Sequence, residues 1–486
     1  MKNLQNSKAS MVFKYFEDIS NIPRGSKNER KISDYLYKFA KDLGLEVIQD
    51  DGLNIIIKKP ASKGYENAPT VILQGHMDMV CEKNKDTVHN FEEDPIKLIV
   101  KGDNIYADGT TLGADDGIAV AYAMAILADD SIEHPALEVL LTTDEETGMT
   151  GARALSKDSV NGKIILNMDS EEEGYLLVSC AGGVRAESSI KLEKEALNSD
   201  TLINIRIKGL KGGHSGSEID KGRGNSNKLM GRALKELSDK VKFNLVSIEG
   251  GSKDNAIPRE ADAIIAVSNS DKENVVEFIK ELDATYKKEL SATDEDVTIN
   301  VEEVNSDIKE KLTSSCTERI IELIHLYPNG ISTMSGDIDG LVESSSNLGV
   351  VVTNDTKVEL HSAVRSSVET LKWEIIDRMK SLTSLINGDF ETSAAYPGWE
   401  YRKESKIRDL CVKTYQDMYK KDPVVYAIHA GVECGLFEEK LGELDMISFG
   451  PDIKDAHTPD EHLSISSTER VWQYLLELLK RIDNNY

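Results

Sequence analysis

Thr70-Val-Ile-Leu-Gln-Gly-His-Met-Asp78 begins as a short apolar run and ends on a histidine and an acid. The first half has the composition of a buried strand, and the second half places His76 and Asp78 at that strand's carboxyl end. Working outward, the same pattern recurs. Val139-Leu-Leu-Thr-Thr143 runs into Asp144-Glu145-Glu146-Thr147-Gly148, and Ile164-Ile-Leu-Asn-Met168 runs into Asp169-Ser170-Glu171. Far downstream, Met446-Ile-Ser-Phe449 leads through Gly450-Pro451 to Ala456-His457-Thr458. Leu112-Gly-Ala-Asp115-Asp116-Gly117 instead opens a helical run of small residues, with both acids at its N-terminus, where carboxylates suit the helix dipole. Between 53 and 180, short apolar strands alternate with helical stretches, which predicts an α/β sheet with helices on both faces. Open sheets of that kind bind ligands beyond the carboxyl ends of their strands, where these residues fall.

The flanking segments extend the picture. Residues 10 to 50 read as two amphipathic helices, around Val12–Phe16 and from Ile32 to Leu43. From 185 to about 395 the character changes. Strands such as Leu202–Ile207, Ala261–Val267 and Val358–Val364 are interspersed with amphipathic helices around Glu273–Ile279 and Leu371–Ile376. An inserted α+β domain is expected there, with room for two similar halves. From 396 a helix-then-strand pattern resumes, and His457 must join the earlier acids. The expected division is therefore a catalytic domain in two parts, 1–184 and 396–486, around an insertion at 185–395 placed to act as a lid.

At 486 residues the chain exceeds one hydrophobic core. Its 58 Lys+Arg against 85 Asp+Glu give a net charge of -27, which repels phosphates and anionic lipid, so nucleic acid and membrane are set aside as partners. No stretch approaches the 18 or so apolar residues of a span. The opening Met1-Lys-Asn-Leu-Gln-Asn-Ser lacks the apolar core of a signal peptide. Five scattered cysteines then read as reduced thiols, and a cytoplasmic location is expected.

Histidines and carboxylates gathered this way are the ligand chemistry of two divalent ions sharing a carboxylate. Asp115 is the candidate bridge. His76 and Asp169 would hold one ion, and Glu146 and His457 the other. Asp78, two residues after His76, is spaced to accept its other ring N–H. Glu145, beside a ligand, is left to act as the base that deprotonates the attacking water. Each motif alone has a plainer reading: His-x-Asp as a surface or core pair, Asp-Asp-Gly as a cap, Glu-Glu as solvated charge, Asp169 as the start of an exposed acidic loop. Their recurrence at separate strand ends lifts the metal reading, and a metal-dependent hydrolase is expected.

These motifs resemble the family of zinc exopeptidases and deacylases that includes peptidase T and aminoacylase, in the family's order and over nearly the whole chain. Within it the chain looks most like the aminoacyl-histidine (Xaa-His) or cytosol non-specific dipeptidases. The narrowing features are Gln74–Val80, Lys211-Gly-Gly-His-Ser-Gly216, Asn255-Ala-Ile-Pro258, Ser362-Ala-Val-Arg-Ser366 and His429-Ala-Gly-Val-Glu-Cys-Gly435. The resemblance implies a di-zinc catalytic domain and a lid of ferredoxin-like topology. It implies Asp115 as bridge, Glu145 as general acid/base and Asp78 as orienting acid. It further implies His214 at the oxyanion, Asn255 and Gly431 at the substrate, and Arg365 on a substrate carboxylate. By themselves His214, Asn255 and Arg365 read as a loop histidine, a turn residue and a surface arginine. The expected substrate is a small peptide, with an N-acyl amino acid as the alternative. Zinc is the first choice of metal, and cobalt or manganese also suit the ligands. A homodimer through the lid is expected from relatives. In the family's simplest members the lid histidine can come from a partner subunit; a lid as long as this one offers the alternative that His214 acts within its own chain.

Overall fold

Val71–His76, Leu137–Thr142 and Ile164–Asn167 are buried at every position. Strands without alternation need cover on both faces, and parallel pairing between helical layers provides it. In the computed structural model, which describes residues 4–198, 201–305 and 307–486, these strands pair in parallel at the centre of an eight-stranded sheet. The first three residues of the chain lie outside the described residues. Asp445–Ser448 joins in parallel beside Ile164–Asn167. The full order is Glu46–Gln49, Ile55–Lys59, Leu137–Thr142, Val71–His76, Ile164–Asn167, Asp445–Ser448, Tyr175–Cys180, Val424–Ile428. The helix Ala114–Ala128 packs on Val71–His76 and is buried along nearly its whole length. Its small residues permit a close approach: a Cβ on Gly75 would stand 2.5 Å from Ala119 Cβ and 2.4 Å from Asp116 Oδ2. Ser10–Ser20 and Arg30–Asp42 are the two N-terminal amphipathic helices.

The chain divides into two compact units. The first comprises 1–179, 401–427 and 432–486; the second comprises 180–400 with 428–431. The junctions expected at 184/185 and 395/396 thus fall a few residues inside the second unit. Residues 428–431, read as catalytic from the sequence, group with it as well, because Ala181 N–H donates to both Ile428 O and Ala430 O, at 3.2 and 3.0 Å.

The second unit is built on a nine-stranded antiparallel sheet. Thr201–Lys208, Phe243–Gly250, Ala261–Val267 and Thr298–Glu303 form one half, with helices Ser226–Ser238 and Lys272–Glu289 in the two crossovers. Numbered along the chain, these strands lie in the order 4-1-3-2, the split βαβ arrangement of ferredoxin-like folds. Gly182–Lys191, Val342–Thr353, Lys357–Ser366 and Asp389–Tyr396, with helices Ser314–Leu326 and Glu369–Leu385, repeat the same order. The first half is inserted after the first strand of the second, and the two join through the registered pair Gly250–Val351. One apolar core, from Val184 and Ile203 to Leu360 and Met379, runs through both halves.

Candidate metal centre

Four parallel strands deliver their following residues to one edge of the sheet in the first unit. His76 ends Val71–His76. Glu145 and Glu146 follow Leu137–Thr142, Asp169 follows Ile164–Asn167, and His457 lies beyond Asp445–Ser448. The loops to Glu145 and to His457 turn through residues with left-handed backbones, Asp144 at φ 56° and His457 itself at φ 64°. Such conformations cost energy in non-glycine residues and cluster at functional sites. Asp115 and Asp116 precede the regular helix, with ψ of 110° and 33°, so they are loop residues at its start rather than its first turn.

Asp115 lies between the two histidines. Its Oδ1 is 3.1 Å from His76 Nε2 and its Oδ2 is 3.0 Å from His457 Nε2. Each histidine has a second carboxylate of its own: Asp169 Oδ1 at 3.4 Å from His76 Nε2, and Glu146 Oε2 at 3.1 Å from His457 Nε2. Ligands held about 2.0–2.1 Å from a tetrahedral ion lie about 3.3 Å from one another. The donor set and spacing therefore fit two divalent ions, and Glu146 Oε1 is buried with no hydrogen-bond partner. Asp116 also comes within ligand range of His76 and Asp169, but its Oδ2 accepts the backbone N–H of His76 at 3.2 Å.

Charge in this cluster is strongly perturbed. Burial opposes the charged imidazolium of His76, but Asp169, Asp115 and Asp78 outweigh it and raise the ring well above its ordinary value. Hydrogen bonds to Asp115 and Glu146 raise His457 to about 11. Burial lifts Asp169 to about 6 despite His76. Glu145 is pushed well above the carboxylate range by burial and by Asp169, Glu433 and Glu146, with His76 pulling the other way.

Asp78, fully buried, stands with Oδ1 3.3 Å from His76 Nδ1. The same carboxylate accepts Ser26 Oγ–H at 2.8 Å and the backbone N–H groups of Glu145 and Glu146 at 3.1 and 3.3 Å. Burial raises this acid, but the His76, Ser26 and Glu145 hydrogen bonds more than offset it, so Asp78 stays ionised below its usual range.

The candidates His214, Asn255, Arg365 and Gly431 all belong to the second unit. His214 pairs with Ala256, and Ser215 N–H donates to Asn255 O at 2.9 Å, so the two loops are tied together. His214 Nδ1 accepts the N–H groups of Gly216 and Ser217 at 3.3 and 3.2 Å, which leaves the proton of the neutral ring on Nε2. Burial and nearby Arg365 lower its pKa, which favours that neutral form. Arg365 Nη1 donates to Tyr396 Oη at 3.2 Å, while its Nε is buried without a partner. A Cβ on Gly431 would stand 2.6 Å from the Tyr396 ring. His214 lies in a two-stranded ribbon with Ala256–Ile257, outside the nine-stranded sheet, and Arg365 lies on Lys357–Ser366 of the second half.

Several supporting residues escaped the sequence reading. Arg24, 2% exposed, donates to the carbonyls of Met77, Asp78 and Gly113, tying the His76 loop to the Asp115 loop. Glu461 accepts the N–H groups of Leu112, Gly113 and Ala114 at 2.7, 3.0 and 2.7 Å. Its position four residues after His457 was the one available signal; Arg24 offered none.

A sheet of this kind carrying histidines and acids at its strand ends defines a metallopeptidase class, and the chain belongs to peptidase family M20/M25/M40, whose model matches residues 72–481. It is 41% identical to the cytosol non-specific dipeptidase of Escherichia coli K12 over 487 residues, 99% of each chain. It also resembles the crystal structure of aminoacylhistidine dipeptidase from Vibrio alginolyticus, with a TM-score of 0.95, 38% identity and 98% of each chain covered. The aminopeptidase PepT of Bacillus cereus shares the fold at 16% identity, with a TM-score of 0.58 over 98% of this chain and 99% of that one.

Proposed function

We infer that this protein is a metal-dependent dipeptidase, hydrolysing the peptide bond of free dipeptides, Xaa-His and more broadly. The observation that carries the reading is Asp115, with one oxygen toward each of two histidines that have their own acids. His76, Asp169 and one oxygen of Asp115 would hold one divalent ion; Glu146, His457 and the other oxygen would hold the second. Two such ions supply Lewis acidity at the scissile carbonyl and a lowered pKa for the attacking water. Zinc fits these nitrogen and oxygen donors best, with cobalt or manganese also suited.

The chain's own groups do the rest. Glu145 takes the proton of the attacking water and returns it to the leaving amine. Asp78 fixes the ring of His76 and, through two backbone N–H groups, the loop that carries Glu145. His214, its proton on Nε2, is assigned to the oxyanion that develops on the carbonyl. Arg365, with an unused Nε, is assigned to the free carboxylate of the dipeptide, and Asn255 to a substrate hydrogen bond. Gly431 is assigned to the substrate side through its close packing on the Tyr396 ring, whose hydroxyl accepts from Arg365. We assign the second unit the role of a lid and place a homodimer contact on it, where the edge strand Asp389–Tyr396 is largely exposed. Among the described residues no helix is long and apolar enough to cross a membrane, and the name of the E. coli relative supports a cytoplasmic location.

The test is metal content and hydrolysis on one purified sample, with Leu-His, β-alanyl-histidine and acetyl-Leu as substrates. Two metals per chain with cleavage of the free dipeptides support the reading; cleavage of acetyl-Leu alone moves it to a deacylase. Glu145→Ala should keep its metals and lose about 10²–10⁴-fold in kcat. A loss of only a fewfold would remove Glu145 from the base role.

A further inference from the structure

Beneath the candidate ligands, and one step back along each strand, lies a row of buried polar side chains that the mechanism above does not use. Asn167 precedes Asp169 by two residues, Gln74 precedes His76 by two, and Thr142 ends the strand that leads to Glu145 and Glu146. Gln74 and Asn167 are direct partners in the parallel register, and His76 is the partner of Thr142. Side chains alternate along a strand, so Gln74 lies on the same sheet face as His76. The row is hydrogen-bonded across all three strands. Asn167 Nδ2 donates to Gln74 Oε1, and Gln74 Nε2 donates to Glu433 Oε2 at 2.9 Å. The hydroxyl of Thr142 donates to the same Glu433 oxygen at 2.6 Å. Asn167 Oδ1 in turn receives the backbone N–H of Asp169 at 3.4 Å.

Glu433 does not belong to these strands. It immediately precedes the helix Cys434–Leu441, is 1% exposed, and spans Gln74 and Thr142 with a single oxygen. Its other oxygen, Oε1, is buried without a partner. A site that served packing alone would hold an apolar group at less cost than a buried polar one with an unpartnered atom. We propose that Glu433 is a positioning residue, its Oε2 closing a polar cross-brace with Thr142, Gln74 and Asn167 that sets the relative offset of the strand ends bearing His76, Glu145–Glu146 and Asp169. The brace rests on the reading of these side chains as a metal centre. It acts through the ligands, in the way that partners behind metal ligands tune affinity.

The test uses full-length Glu433→Gln, Glu433→Ala, Thr142→Ser and Thr142→Val. Metal-free protein is titrated with zinc by equilibrium dialysis and with cobalt by its visible absorption. kcat and KM for Leu-His follow at saturating metal, and circular dichroism reports folding. An amide oxygen at 433 and a serine hydroxyl at 142 still complete the brace, so both conservative variants should stay within about threefold of wild type in metal affinity. Glu433→Ala and Thr142→Val should lose about 10–100-fold in affinity and fall in kcat with KM nearly unchanged. Should Glu433→Ala fail to fold, Thr142→Val decides alone. Folded Glu433→Ala and Thr142→Val with wild-type metal affinity overturn the brace, as does a Glu433→Gln as impaired as Glu433→Ala. Wild type that takes up no metal overturns the ligand assignment itself, and the brace with it.

Discussion

Gly75 has no room for a methyl group, because the Ala119 methyl and the Asp116 carboxylate already occupy that space. Gly75→Ala should therefore cost about 1–3 kcal/mol by overpacking and shift His76, its neighbour, out of place. Chemical denaturation and zinc dialysis on the one variant check both effects; unchanged values in both would show that the helix yields freely. Arg365 carries the other residue-scale prediction. Arg365→Met keeps the stem and removes the fork, so kcat/KM for free dipeptides should fall about 10–100-fold, as for a lost charged hydrogen-bond pair. Dipeptide amides, lacking the carboxylate, should lose much less. Equal losses on both would place Arg365 in support of the fold. At this scale the sequence was legible where side chains carry distinctive chemistry next to strand ends. His76, Asp115, Glu146, Asp169 and His457 stand together as those motifs suggested. Arg24, Gln74 and Glu433 were not legible as partners of the site, because a buried polar residue looks in sequence like any exposed one.

Among the elements, the short segment 428–431 carries the clearest pH dependence. His429 is 7% exposed, and its Nε2 is 2.6 Å from Ser345 Oγ. Burial, with Arg365 and His214 beside it, lowers the ring to about 4. An unfolded histidine titrates near 6.5, so between about 6.5 and 4 the unfolded chain binds the extra proton. Stability from this residue is present in full above 6.5 and declines as pH falls through that window, by about 3 kcal/mol in all. Urea midpoints at pH 4.5 and 7 should differ less for His429→Gln than for wild type; parallel losses would assign acid sensitivity elsewhere. Individual elements were readable from their periodicity. The amphipathic helices at Lys272–Glu289 and Glu369–Leu385 and the strands at Thr201–Lys208 and Lys357–Ser366 contain the segments expected of them. The duplication was not readable, because one copy interrupts the other and no continuous period survives along the chain.

For the molecule as a whole, proton and metal binding at the ligand rings are coupled. His76 is raised well above its ordinary value and His457 to about 11, so both rings are protonated at neutral pH. Metal ligation needs both rings neutral, so loading should expel about two protons per chain from the histidines alone. Calorimetry of zinc binding at pH 7 in buffers of different ionisation enthalpy measures that number, and a value near zero would contradict the ligand roles of the two rings. Chelation should lower the melting temperature, since metal bound a thousandfold above its Kd stabilises by about 4 kcal/mol.

The connectivity of the two units is that of nested brackets. Along the chain, residues 201–303 form an uninterrupted half-sheet bracketed by the strands at 182–191 and 342–396, and this whole second unit interrupts the first, which resumes at 401. As the ribosome releases the chain, the innermost bracket is complete first and its enclosing half next. The parallel sheet must wait longest, for Asp445–Ser448 fills the place between Ile164–Asn167 and Tyr175–Cys180. The edge of Ile164–Asn167 and the strand Tyr175–Cys180, made early, are therefore among the last to be satisfied, and they are what a nascent chain of this protein must shelter until synthesis is nearly over.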